Sequence, residues 1–139
     1  MLEVASEGIH VVDERGVTVV YNKAASELDG LLPEEVLGKH VLDVFPSLTQ
    51  ESSTLLRVLR TGIPEIAKQQ TFTNYKGKTI TTINSTYPIT HGDEIIGACE
   101  LSTDITRIKE MAERIADLSQ ELRNKERREH TGTPRTRGK

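Results

Sequence analysis

Aromatic residues and cysteine are scarce in this sequence of 139 residues, which has no tryptophan and a single cysteine, Cys99. One cysteine cannot form an internal disulfide bond, and this usage favours a reducing, cytoplasmic location. No apolar run approaches the roughly 20 residues of a membrane-spanning helix, so no membrane partner is expected. The few aromatic side chains argue against a surface on which single-stranded nucleic acid stacks.

Charge is unevenly distributed along the chain. Residues 1–122 contain 11 basic and 19 acidic side chains, whereas residues 123–139 contain seven basic and two acidic ones. An acidic body does not attract nucleic acid, and a solvated linker explains the basic tail better than a nucleic-acid site does. The sequence therefore predicts no direct binding of nucleic acid by this segment.

Five segments rich in β-branched residues are bounded by turn residues and predict strands over 8–13, 17–21, 66–74, 79–89 and 95–103. Short helical segments separate the second strand from the third, and Asn22 is placed to cap the first of them. Two strands, several short helices and three strands form an α+β order. We expect a five-stranded antiparallel sheet with the short helices on one face.

The apolar pattern changes at Thr106. From there, apolar residues recur at alternating spacings of three and four, which predicts a coiled-coil-like helix. This stripe is narrow, so it fits a partner helix and predicts a homodimer; it consists of Ile108, Met111, Ile115, Leu118 and Leu122. The chain is expected to divide into a sensor domain over 1–105, a helical linker over 106–129, and a disordered tail over 130–139, where the segment TGTP at 131–134 breaks the helix.

Several segments, in order, resemble the sequences of PAS domains between residues 8 and 106. These segments are GIHVVDERG at 8–16, VYNKAA at 20–25, EVLGK at 35–39, VFP at 44–46, YPI at 87–89 and DIT at 104–106. The resemblance implies a PAS fold, which senses a stimulus and passes it to the helix that follows. It also implies that Asp104 holds the junction between the last strand and the helix, while Thr106 is placed to cap that helix.

A narrower likeness involves STLL at 53–56, TG at 61–62 and TTINSTYPI at 81–89. These segments are similar to the N-terminal sensor of arginine-utilisation activators, which are enhancer-binding transcription regulators that work with the alternative nitrogen sigma factor. The likeness implies an ATPase domain and a DNA-binding domain beyond Lys139. No phosphate-binding loop of the GxxxxGK[ST] type occurs in this sequence, so ATP hydrolysis is not assigned to it.

No cofactor, metal or catalytic centre is predicted. The four histidines have no ligand spacing; they are His10, His40, His91 and His130. A flavin photosensor would need a reactive cysteine in a helical motif, whereas Cys99 lies in the last predicted strand. No nucleophile–base pair is recognisable, so we expect the chain not to be an enzyme.

The fourth predicted strand carries the candidate ligand site. Alternation places Thr82, Asn84 and Thr86 on one face, which the PAS resemblance turns inward. Buried polar groups need hydrogen-bond partners, so this face predicts a pocket for a small polar metabolite, of the amino-acid class by the likeness above. Simple packing of threonines in a strand is the alternative, and the residues alone do not decide between the two.

On the last strand, the same resemblance turns Cys99 and Leu101 inward, as part of the predicted site, and Glu100 outward. An arginine-class ligand would call for an inward carboxylate. The sequence identifies none, which counts against carrying that effector over.

The resulting functional hypothesis is a ligand-sensing domain of a bacterial transcription activator that signals through a dimeric helix. Two other interpretations stay open: a ligand-free PAS module for dimerisation or protein interaction, and the sensor domain of a histidine kinase.

Overall fold

A computed structural model describes residues 7–132, with side chains up to Glu129. The strands are β1 (Gly8–Asp13), β2 (Thr18–Tyr21), β3 (Glu65–Thr73), β4 (Thr79–His91) and β5 (Glu94–Asp104). The helices are α1 (Lys23–Asp29), α2 (Pro33–Val36), α3 (Val41–Val44), α4 (Thr54–Thr61) and α5 (Thr106–Gly132). The strands begin and end within two residues of the predicted positions.

All neighbouring strands are antiparallel and follow the order β2-β1-β5-β4-β3. The first and last strands in the sequence, β1 and β5, therefore lie side by side within the sheet. The predicted α+β fold with a five-stranded antiparallel sheet is confirmed.

Asn22 fixes the start of α1 and ties it to the sheet. Its side-chain oxygen accepts hydrogen bonds from the backbone N–H groups of Ala25 and Ile9, each at 2.9 Å. The first bond caps the helix, as the sequence predicts. The helix ends at Gly30, whose φ of 74° is the left-handed conformation that glycine adopts without strain.

The apolar core lies between the sheet and the short helices. Its larger cluster joins the sheet to α3 and α4, and consists of the buried residues Val12, Val41, Leu55, Leu56, Val58 and Ala98. A smaller cluster joins β2 to α1 and α2 through Tyr21, Ala25 and Val36. These two clusters hold the helices against one face of the sheet, around the cavity described below.

The chain divides into two units between Ile105 and Thr106, and α5 forms the described part of the second unit. The helix extends to Gly132, three residues past its predicted end at 129 and into the segment 131–134 that was predicted to break it. Residues 133–139 of the predicted disordered tail lie outside the described residues. Within residues 7–132, no helix is both long and apolar enough to cross a membrane.

Candidate functional site

A cavity of about 460 Å³ lies between the short helices and the inner face of the sheet. Its walls come from α1, from the segment between α3 and the start of α4, and from strands β1, β3, β4 and β5. A cavity of this size accommodates a small metabolite.

Strand β4 contributes polar groups without protein partners. Thr82, Asn84 and Thr86 face the interior, with exposed fractions of 1%, 6% and 0%, and the first two line the cavity. The Asn84 amide nitrogen donates a hydrogen bond to Gln70 Oε1 at 2.8 Å. Within the described part of the chain, Thr82 Oγ1 and Asn84 Oδ1 are buried and have no hydrogen-bond partner. Two buried polar atoms without partners are costly, and a polar ligand would satisfy them.

The predicted inward orientation of Cys99 and Leu101 is wrong. In the β4–β5 ladder, Glu100 lies opposite Thr86 and Ser102 lies opposite Asn84. Directly opposed residues in an antiparallel pair project to the same face, so the inner face of β5 carries Glu100 and Ser102. Both residues line the cavity, whereas Cys99 and Leu101 belong to the other face of the sheet.

Glu100 brings a carboxyl group into this interior. Its pKa is raised from 4.5 to about 7, first by burial and also by the nearby carboxylates of Asp29 and Glu65. The Thr86 hydroxyl donates a hydrogen bond to Glu100 Oε2 at 3.3 Å and favours the ionised form. The predicted outward orientation of Glu100 is therefore wrong, because the polar face of β4 pairs in register with the polar face of β5.

Asp29 is a second carboxyl group in the cavity wall, at the end of α1. Its Oδ2 accepts a hydrogen bond from the Tyr21 hydroxyl, which orients the carboxylate. Burial raises the pKa of Asp29 from 3.8 to about 6, against the effect of the Tyr21 hydrogen bond. No local pattern in the sequence marks Asp29, the last residue of α1, as a cavity residue.

His10 is the buried histidine of the cavity wall. Its Nε2 lies 2.9 Å from Thr18 Oγ1, in hydrogen-bond distance, and its ring meets that of Tyr21 edge-on at 5.1 Å. Burial lowers the pKa of His10 to about 4, so the ring is neutral near pH 7. Among the described residues, no three His, Cys, Asp or Glu side chains are grouped as metal ligands.

The junction residues lie where β5 ends and α5 begins. Asp104 is the last residue of β5 and faces Thr82 in the strand register, and Thr106 is the first residue of α5. Between them, the Ile105 N–H donates a hydrogen bond to the carbonyl oxygen of Thr81 at 2.9 Å. The predicted roles of Asp104 in holding the junction and of Thr106 in capping stay predictions.

Residues 2–110 match the PAS fold family. The chain belongs to this family. A five-stranded antiparallel sheet with helices and a cavity on one face is the PAS architecture that the resemblance implied.

Two curated relatives of this PAS domain are regulatory proteins. It is 39% identical over 111 residues to the transcriptional activator RocR of Bacillus subtilis, covering 80% of this chain and 24% of the relative. It is 31% identical over 118 residues to the signal transduction histidine-protein kinase AtoS of Escherichia coli, covering 84% of this chain and 19% of that relative. The chain thus spans about a quarter or less of the length of these relatives.

Solved structures share the fold. The PAS domain of Bordetella pertussis BvgS has a TM-score of 0.61 at 23% identity, over 83% of this chain and 88% of that one. VqmA bound to DPO has a TM-score of 0.60 at 19% identity, over 71% of this chain and 52% of that one. The chain is therefore a PAS sensor domain related to a transcription activator and to the sensors of histidine kinases.

Proposed function

We propose that this PAS domain binds a small polar metabolite in its cavity and passes the binding event to an output domain through α5. The observation that carries this proposal is the pair of buried, unpartnered polar atoms, Thr82 Oγ1 and Asn84 Oδ1, in the wall of a 460 Å³ cavity. A domain used only for dimerisation gains nothing from such atoms, because aliphatic side chains would fill the same space at lower free energy.

The output we propose is transcription activation in a bacterial cytoplasm. The higher identity to RocR supports an activator, and the 31% identity to AtoS keeps a histidine kinase as the second candidate. The coding sequence downstream of Lys139 distinguishes these two outputs directly.

The route of the signal follows the chain. Glu100 lies in the cavity wall on β5, and the same strand ends at Asp104, with only Ile105 between it and the first residue of α5. A ligand that binds one arrangement of β5 more tightly shifts the equilibrium at this junction. We propose that α5 carries the shift as a homodimer, and that the domain is regulatory and has no catalytic activity.

The test is a thermal-shift screen of the purified protein against amino acids and other metabolites, followed by native mass spectrometry of each hit. A ligand at 100 times its dissociation constant should add roughly 2.7 kcal/mol to the free energy of unfolding.

The variant Asn84→Leu should abolish this gain and leave the unliganded fold intact, because the side chain lies in the cavity wall and is 6% exposed. Failure of every compound to bind, or unchanged ligand affinity in the variant, would overturn the proposal.

A further inference from the structure

The cavity wall carries acidic side chains without basic ones. Among the described residues that line it, Asp29 and Glu100 are carboxyl side chains and none is lysine or arginine. His10 contributes no positive charge near pH 7, because burial lowers its pKa to about 4. Ionised carboxylates in this wall have no cation of their own inside the cavity.

Arg57 is the basic residue whose charge acts on Glu100, but it is engaged elsewhere. Its guanidinium group binds Glu65 through two hydrogen bonds, from Nε at 2.8 Å and from Nη2 at 2.7 Å. A third bond joins Nη1 to the carbonyl oxygen of Glu51 at 2.7 Å. This two-pronged pair is geometrically favourable, so Arg57 is not available to turn towards Glu100.

The unpartnered atoms of the cavity are also acceptors. Asn84 Oδ1 can only accept hydrogen bonds, and the Thr82 hydroxyl oxygen has lone pairs to offer. Together with the two carboxylates, they form a wall that is rich in acceptors. Ammonium and guanidinium groups have the matching chemistry, since they are positively charged, carry three to five N–H donors and have no acceptor.

We infer that the ligand of this cavity is an organic cation, whose ammonium or guanidinium group lies between the carboxylates of Asp29 and Glu100 and donates to Thr82 and Asn84. The inference rests on the proposed sensing function and specifies its ligand class. Removing two carboxylates from water is unfavourable, and a cation that binds both offsets this penalty.

Binding of a cation is linked to the protonation of Glu100. The charged and titratable groups around it are Asp29 on α1, Arg57 on α4, Glu65 on β3 and His10 on β1. Since burial raises the pKa of Glu100 to about 7, part of the unliganded protein carries a proton there at neutral pH. A bound cation expels that proton, so cation affinity rises between pH 6 and pH 8.

The experiment measures binding of matched probes by calorimetry and by protein chemical-shift changes. n-Butylguanidinium is paired with n-butylurea, and putrescine with 1,4-butanediol; each pair shares a shape and differs in charge. Agmatine, which carries both cationic groups, is the fifth probe. The cationic probes should bind at least about tenfold more tightly than their neutral partners, because charged hydrogen bonds are the stronger ones.

The variants are Glu100→Gln and Asp29→Asn, which keep the shape of the side chain. Glu34→Gln, at an exposed position of α2, is the control for the loss of one negative charge. Glu100→Gln should weaken agmatine binding about tenfold or more and should reduce the rise in affinity between pH 6 and pH 8 to the part that ionisation of Asp29, with a pKa of about 6, supplies. The control should do neither. Circular dichroism establishes that each variant is folded.

Absence of binding by all three cationic probes, equal binding of neutral partners, or an unchanged pH profile in Glu100→Gln overturns the cation class. The proposed sensing function is tested separately from the cation class. If the metabolite screen finds a neutral or acidic ligand whose affinity depends on Asn84, the cavity is a sensor for a different class. If no compound binds at all, both proposals fail.

Discussion

Thr82 and Thr86 occupy the same face of β4, are equally buried, and differ in one hydrogen bond. The Thr86 hydroxyl donates to Glu100, whereas Thr82 Oγ1 has no partner among the described residues. Thr82→Val should therefore raise the free energy of unfolding of the unliganded protein by about 1 kcal/mol, and Thr86→Val should lower it by a similar amount. Urea unfolding of both variants measures the difference, and a loss of stability in Thr82→Val would show that its hydroxyl is satisfied.

Glu100 should make the unliganded protein less stable as the pH rises. Its pKa is about 7 in the folded state and 4.5 ordinarily, so the folded state binds more protons between these values. The free energy of unfolding therefore falls by up to about 3 kcal/mol as pH increases through this window. His10 acts in the opposite direction, because its pKa falls from 6.5 to about 4.

The measurement that isolates Glu100 is the difference between the wild type and Glu100→Gln in urea unfolding from pH 4.5 to pH 8. The stability of the wild type relative to the variant should decline across this range. A difference that is constant with pH would show that the Glu100 carboxyl is solvated in the folded protein.

At the scale of the element, Asn22 joins α1 to β1. Asn22→Ala removes the acceptor of two backbone N–H groups, those of Ala25 and Ile9, and should lower the free energy of unfolding by about 2 kcal/mol. Asn22→Asp keeps the acceptor and loses only the bond that Asn22 donates to the Glu7 carbonyl oxygen at 2.9 Å, so its loss should be clearly smaller. Equal losses in chemical denaturation would assign the stability to the Glu7 bond instead.

The strands and helices were predictable because local patterns mark their ends. Asn22 and Gly30 bound α1 by capping and by left-handed backbone, and both are recognisable in the sequence. The orientation of β5 could not be predicted in this way. Its two faces carry apolar residues in similar number, so hydrophobicity alone does not show which face is buried. The polar residues of β5 lie opposite the polar residues of β4, as Glu100 lies opposite Thr86. This pairing identifies the face of β5 that meets the cavity.

Asp29 shows a different limit of prediction. Its place in the cavity depends on contacts between α1 and β2 that no local pattern encodes, above all the hydrogen bond from Tyr21. A carboxylate at the end of a helix has many possible surroundings. Only the packed fold brings this one to the same cavity as Glu100.

At the scale of the whole molecule, the apolar stripe of α5 is available to a partner. Its residues have exposed fractions from 50% to 66%; they are Ile108, Met111, Ile115, Leu118 and Leu122. If a second copy of the chain covers the stripe, a version ending at Asp104 should associate more weakly than the full chain in sedimentation equilibrium.

Leu118→Lys should weaken association in the same assay, whereas Glu113→Lys, on an exposed position between the apolar residues, should not. Equal association of the truncated and full chains would place the dimer contact outside α5.

The proposed lack of catalytic or chromophore function is also a property of the whole chain. Purified protein should have no absorption band above 300 nm, where aromatic side chains do not absorb, and should not hydrolyse ATP. A visible band that persists through gel filtration would identify a bound chromophore and contradict this expectation.

The alternation of β4 has an evolutionary consequence. Residues 82 and 84 line the cavity and residue 86 lies on the same buried face, while Ile83, Ser85 and Tyr87 occupy the opposite face. Mutations in one set leave the other chemically untouched, so the compound that is recognised can diverge without altering the opposite surface of the sheet. The same separation suits the design of biosensors, in which randomising positions 82, 84, 100 and 102 would retune selectivity on an unchanged scaffold.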